Sequence, residues 1–184
     1  MTIKYENMPD NLNNQPDIPI DSQPDFQQHP QDASGYYNRG RARDLGGDRE
    51  GALADYNCTI QLDPNHAKAY VNRGLLLDKI GNQQGALSDY DRSIELDNRS
   101  ATSYYNRANV RYRLEDLHGA LADYDRSIQL DPNRAKAYYN RGTICAYLGN
   151  REGARQDLQA AAELFRQQDR EWDYQRTLEK VQEV

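Results

Sequence analysis

Cysteine is scarce in this chain of 184 residues: Cys58 and Cys145 stand far apart, outside any Cys-x-x-Cys or Cys/His cluster. That argues against a disulfide framework and a structural zinc site and fits a reducing compartment, read here as the cytoplasm. The three histidines, His29, His66 and His118, are solitary. No His-Glu-x-x-His, Gly-x-Ser-x-Gly or glycine-rich phosphate loop accompanies them, so neither an enzyme nor a cofactor or metal site is expected. No apolar run approaches the ~18 residues of a membrane span, and the N-terminus lacks the features of a secretory signal, so membrane insertion is not expected. A basic excess is missing as well. The net charge is −6, which argues against nucleic acid as a partner.

The acidity has a location. Residues 1–32 hold Glu6, Asp10, Asp17, Asp21, Asp25 and Asp32 against Lys4 alone, with five of the seven prolines and many Asn and Gln. Such a segment cannot bury enough apolar surface to offset its ordering entropy, and a disordered tail is expected over 1–32. A solubilising leader is the plainer reading of it, a short linear motif near Asp17–Asp21 the functional one.

What the chain has in abundance is repetition. Gly119-Ala-Leu-Ala-Asp-Tyr-Asp-Arg-Ser-Ile-Gln-Leu-Asp-Pro132 recurs almost letter for letter from Gly51 to Pro64, and a third copy begins at Gly85. The period is 34 residues without insertion, the mark of stacked supersecondary units. Four repeats follow, at 33–66, 67–100, 101–134 and 135–168. Each opens on a helical Tyr-x-Asn-Arg-Gly/Ala stretch, closes that helix near Gly47, Gly81 or Gly149 (Glu115 in the third repeat, expected to close less cleanly), and starts a second helix behind Asp48, Asn82, Asp116 or Asn150 as N-cap. Proline at 64 and 132 bars continuation of the second helix. The fourth repeat decays after Asp157, and Asp169 is placed to cap a last amphipathic helix, 169–184, with Trp172, Leu178 and Val181 on a core-sealing side.

These residues resemble the tetratricopeptide repeat (TPR), over 33 to about 168, in a form common in cyanobacteria and other bacteria. The pattern is carried by Tyr36, Tyr70, Tyr104 and Tyr138; by Gly40, Gly74, Ala108 and Gly142; by Ala52, Ala86, Ala120 and Ala154; and by Tyr56, Tyr90, Tyr124, Pro64 and Pro132. The resemblance implies an all-α, right-handed α-solenoid of four helix–turn–helix units with a C-terminal capping helix. It also implies a non-catalytic protein-interaction module.

Two departures from the family pattern run together through every repeat. Arginine replaces the usual leucine at 39, 73, 107 and 141, and aspartate stands at 55, 89, 123 and 157. An acid in register with each arginine predicts a ladder of partly buried ion pairs, since the rigid guanidinium fork matches a carboxylate at two points. Gly51, Gly85, Gly119 and Gly153 also recur, in the first turn of the second helices, which suggests close contact with a neighbouring backbone.

In TPR proteins the first helices line a concave groove. Carried over, that groove contains an asparagine series, Asn38, Asn72, Asn106 and Asn140, joined by Asn109, and the aromatic residues Tyr37, Tyr105, Tyr112, Tyr139 and Tyr147. Arg41, Lys68, Lys79, Arg113 and Lys136 outnumber Asp44 and Asp78 there and make it net positive. The asparagines admit two readings, backbone recognition or simple repeat preference; the Tyr and Lys/Arg cluster of the third and fourth repeats points to recognition. The lysine/asparagine/arginine clamp by which some TPR proteins hold a C-terminal carboxylate is not matched, because only Asn72 among Tyr37, Arg41, Asn72, Thr102 and Asn106 agrees with it. The expected function is an adaptor or complex-assembly factor that takes an acidic or polar peptide or helix of a protein partner. The alternative is a self-associating structural protein, a homo-oligomer whose acidic tail or solenoid end docks on another copy.

Overall fold

The computed structural model describes residues 30–184. The tail expected over 1–32 therefore lies, as far as residue 29, outside the described residues; beyond it Pro30 is buried and Asp32 caps the first helix. The described residues form nine helices and no strand: α1 (Ala33–Leu45), α2 (Arg49–Leu62), α3 (Ala67–Lys79), α4 (Gln83–Leu96), α5 (Ala101–Arg113), α6 (Leu117–Leu130), α7 (Ala135–Tyr147), α8 (Arg151–Gln167) and α9 (Glu171–Glu183). They fall into two compact units, divided along the chain between Asn98 and Arg99. In the first, α1 packs on α2, α2 on α3 and α3 on α4; in the second, each helix from α5 to α9 packs on the next.

The turns inside each hairpin follow from a few residues. Asp48, Asn82, Asp116 and Asn150 accept the backbone N–H of Gly51, Gly85, Gly119 and Gly153 at 2.9, 3.0, 2.9 and 3.0 Å, each cap contributing ~1 kcal/mol. The recurring glycines serve these caps rather than a neighbouring backbone. A Cβ on Gly51 or Gly119 would run into the capping carboxylate, and one on Gly85 would lie 2.7 Å from Asn82 Nδ2. Ahead of the caps, Gly47, Gly81 and Gly149 take φ of 86°, 86° and 83°. Glu115 takes φ 63° at the matching place, and the bond from Asp116 N–H to Arg111 O, 2.9 Å, equals that from Asn150 to Cys145. The third repeat thus closes as the others do, with the strain carried by a side-chain-bearing residue instead of by a looser turn.

The cores are built on tyrosine. Tyr56, Tyr90 and Tyr124 are buried completely, as are Ala52, Ala86, Ala120 and Ala154. A methyl added to Gly40 or Gly74 would sit 2.9 Å from Cε1 of Tyr56 or Tyr90. The ring therefore packs closely against helix positions that carry no side chain. In the fourth repeat Leu158 and Phe165 fill this role.

The last helix differs from its sequence reading. Asp169, at φ 54°, terminates α8, and Arg170 occupies the N-cap of α9 without a side-chain bond to it. Asp173 and Thr177 face inward, while Trp172 is 65 % exposed. The reason is polar: Asp173 pairs with Arg170, whose guanidinium lies 4.7 Å above the Phe165 ring. Thr177 Oγ1 donates to the Asp173 carbonyl at 2.6 Å. That arrangement occupies the inner face and turns the indole out, beneath Arg176 at 5.2 Å.

Candidate functional site

The arginine–aspartate ladder exists in all four repeats. Nε and Nη2 of Arg39, Arg73, Arg107 and Arg141 donate to the two carboxylate oxygens of Asp55, Asp89, Asp123 and Asp157 at 2.5–2.9 Å. Each guanidinium also covers the tyrosine three residues before it, 5.3–5.6 Å from the ring centre. Hydrogen bonding to these carboxylates raises Arg39, Arg73 and Arg141 above the ordinary arginine value. The sequence reading did not include a second tier, which alternates between repeats. In the first and third, Arg43 and Arg111 add a bond to the same aspartate at 2.9 and 2.7 Å. In the second and fourth that place holds Leu77 and Cys145, and Arg73 and Arg141 also reach Asn57 and Asp125 of the preceding repeat at 2.8 and 2.7 Å. Every carboxylate of the ladder has a guanidinium partner, so the ladder is architecture.

The expected groove residues separate into buried and exposed sets. In residues 30–98, Tyr37 is buried; its ring lies 4.6 Å from that of His66, and its hydroxyl accepts from Asn72 Nδ2 at 3.2 Å. Arg41 stands over the same ring at 5.9 Å. His66 has a structural task, its Nδ1 accepting the Ala69 N–H at 3.2 Å to cap α3. Asn38, Lys68 and Lys79 are exposed, and Lys79 pairs with Asp44 at 3.7 Å.

In residues 99–184, Tyr105, Tyr139, Asn106 and Asn109 are buried, and the Asn106 amide nitrogen has no hydrogen-bond partner among the described residues. Tyr124 donates its hydroxyl to Asn109 Oδ1 at 2.6 Å, and Asn140 Nδ2 bonds both Asn109 Oδ1 and the tyrosine oxygen, at 3.0 and 3.2 Å. Asn72 and Asn140 thus each spend their amide nitrogen on a tyrosine hydroxyl of the preceding repeat, the partner a buried phenol needs. Burial raises Tyr37, Tyr56 and Tyr124 above the usual tyrosine value.

Two of the expected aromatic residues converge elsewhere. Tyr112, near the end of α5, and Tyr147, the last residue of α7, line one hollow with Glu115 and Leu117. Tyr147 is 60 % exposed, and Leu114 and Leu148, which directly follow α5 and α7 in the chain, are exposed as well. The charge of this unit is also sorted by helix. α5 and α7 carry Arg107, Arg111, Arg113, Lys136 and Arg141 and no acidic residue, whereas the ladder aspartates stand on α6 and α8. Among the described residues no group of His, Cys, Asp or Glu is placed to hold a metal ion, and no helix is long and apolar enough to cross a membrane.

Helical hairpins of 34-residue period, the first three holding a buried tyrosine against small residues of the facing helix, define a tandem α-helical repeat protein. The chain belongs to the tetratricopeptide repeat family: models of that repeat match residues 27–101, 101–134 and 135–168. No curated protein sequence matches it significantly. Among solved structures it is similar to MamA, residues 41 to the end, from Desulfovibrio magneticus RS-1, at 25 % identity over 75 % of this chain and 78 % of that one, with a TM-score of 0.67. YrrB, described as a TPR protein with an unusual peptide-binding site, is 21 % identical over 82 % and 84 %, with a TM-score of 0.66. The first TPR of Spaghetti (RPAP3), bound to the HSP90 peptide SRMEEVD, is 24 % identical over 67 % and 98 %, with a TM-score of 0.62.

Proposed function

We propose that this protein is a non-catalytic adaptor or complex-assembly factor whose first helices receive an extended peptide or a helix of a protein partner. The hollow of Tyr112, Glu115, Leu117 and Tyr147 carries the reading, because it is an aromatic recess on first-helix ends with one ring largely in solvent. A rigid, half-wet tyrosine gives contact area at low entropic cost, and a recess beside it takes an apolar side chain of the partner. The acidic or polar character expected of the partner segment follows from the sequence count of groove charges, in which Arg41, Lys68, Lys79, Arg113 and Lys136 outnumber Asp44 and Asp78. Two of the similar structures are described by the peptide each binds or the site for one, which supports a peptide as the ligand class. Asn140 lines the same face and contributes polarity more than anchoring, since its amide nitrogen is already engaged.

A photo-reactive phenylalanine analogue placed at Tyr147 in cells tests this directly. Adducts with one or a few discrete proteins are expected from position 147 and are lost on Tyr112→Ala. Trp172, equally exposed on α9, serves as the control position. Equal adduct patterns from 147 and 172 would show that the hollow is ordinary surface.

A further inference from the structure

We infer that Arg41 is a seat for a carboxylate side chain of the partner segment, on the face where α1 and α3 lie side by side. The inference rests on the peptide-binding reading above and supplies the chemistry of one of the ligand's contacts. It starts from a contrast among the arginines of the first helices. Arg39, Arg43, Arg73, Arg107, Arg111 and Arg141 are all bonded to ladder aspartates. Arg41 is partly buried like them, yet among the described residues its side chain forms no hydrogen bond and no ion pair. It rests on the Tyr37 ring, 5.9 Å from the centre.

The reason lies in what α3 offers it. Tyr37, Arg41 and Asp44 stand at i, i+4 and i+7, on one face of α1. The outer two reach α3: Asn72 donates to the Tyr37 hydroxyl at 3.2 Å, and Lys79 pairs with Asp44 at 3.7 Å. Between Asn72 and Lys79 that face of α3 carries Leu75 and Leu76, and Leu76 lies in the core with Tyr37 and Tyr56. Neither leucine has a side-chain acceptor, so the middle of the seam holds a cation and no acid. Tyr37 is itself fixed, by its bond to Asn72 and by the His66 ring 4.6 Å away, so the guanidinium is carried on a rigid support. A planar fork partly withdrawn from water gains most from an acceptor of matching shape, a carboxylate held at two points. A phosphate group suits the place less: sites for it gather several arginines, whereas here a single one stands three residues from Asp44. The occupant is therefore an aspartate or glutamate of the partner segment.

The test is a titration of the full chain, followed through the arginine Nε–H and asparagine amide signals in a nitrogen–proton correlation spectrum. Three probes are used: the peptide acetyl-Ala-Ala-Glu-Ala-Ala-amide, the same peptide with Gln for Glu, and inorganic phosphate. The Glu peptide is expected to shift the Arg41 signal at about tenfold lower concentration than the Gln peptide, and added salt to narrow that gap. The exposed Arg49 of α2, which forms no ion pair among the described residues, is the control and should show no such preference. The Asn72 amide reports on the variants: the preference for Glu is lost in Arg41→Gln and kept in part by Arg41→Lys, which retains the charge and serves alone if the glutamine variant does not fold. Equal response of Arg41 to the two peptides, or an equal preference at Arg49, overturns the inference. Tighter binding of phosphate than of the Glu peptide overturns the choice of carboxylate. Adducts at position 147 that persist while the peptides fail at Arg41 leave the peptide-binding reading in place and remove only this seat. A preference at Arg41 without adducts at 147 keeps the seat and removes the hollow, and failure of both removes both.

Discussion

Replacing Arg73 by leucine should cost the fold far more than the same change at Arg39, although the two arginines occupy equivalent positions. Each donates two bonds to a nearly inaccessible aspartate, with side-chain exposures of 5 % for Asp89 and 2 % for Asp55. Stacking on the preceding tyrosine, at 5.6 and 5.3 Å, is lost equally. What differs is the remainder. Asp55 keeps Arg43 at 2.9 Å, so Arg39→Leu removes charge-assisted bonds but leaves a paired carboxylate, a loss of ~1.5–3 kcal/mol. Among the described residues Asp89 has only Arg73 as a guanidinium partner, so Arg73→Leu strands a buried charge at ~3–5 kcal/mol. Urea unfolding followed by circular dichroism at 222 nm measures both. Adding Asp89→Leu should recover most of the Arg73→Leu loss, because the stranded charge goes with it. Adding Asp55→Leu to Arg39→Leu should recover little, since Arg43 keeps Asp55 paired in the single variant and no stranded charge is there to remove. Equal losses from the two single changes, or a loss below ~1 kcal/mol for Arg73→Leu, would refute stranded charge as the controlling term.

Two further outcomes follow from other parts of the structure. Glu115→Gly should stabilise the protein by ~1 kcal/mol in the same urea assay, because a side-chain-bearing residue at φ 63° is relieved of left-handed strain; no gain would mean that the Glu115 side chain offsets its backbone. Tyr37, Tyr56 and Tyr124 are raised by burial, so the fold favours their protonated form. Their contribution is complete below the unfolded value of ~10 and is lost as pH climbs above it. Absorbance at 295 nm with parallel circular dichroism should show part of the 14 tyrosines ionising late and together with helix loss. A single step near pH 10 with the helices intact would contradict this.

Much of the architecture was legible because it repeats. Caps at Asp48, Asn82, Asp116 and Asn150 are local chemistry and read directly, and the arginine–aspartate pairs showed themselves by changing together in every repeat. What escaped was set by contacts across helices or by a neighbour in sequence. Arg43 and Arg111 occur only in alternate repeats, so the four-fold register hid them. Trp172 reads as a sealing residue by apolarity alone, but an Arg170–Asp173 pair takes the inner face first. Gly51 and its equivalents looked like close-packing sites, whereas the atom that excludes a side chain belongs to the cap three residues earlier. In the candidate site, Tyr37, Tyr105 and Tyr139 fall on first helices as expected yet are buried, since a ring adjacent to a small-residue helix packs down before it can face a ligand. Tyr147, the last residue of its helix, stays exposed.

The bonds from Asn72 to Tyr37 and from Asn140 to Tyr124 bear on how the protein comes apart. The Tyr37 hydroxyl loses this partner, and the Asn140 amide loses both Asn109 and Tyr124, as soon as the adjoining repeat lifts slightly and before water can enter to replace them, although Tyr124 itself keeps Asn109. An unpaired buried group costs ~1–3 kcal/mol, so a half-open seam is less favourable than either a closed or a fully open one. Each seam is then a latch with two positions. Amide exchange along α7 and α8 should accordingly report their release as a single step, with no gradual fraying from the C-terminal side.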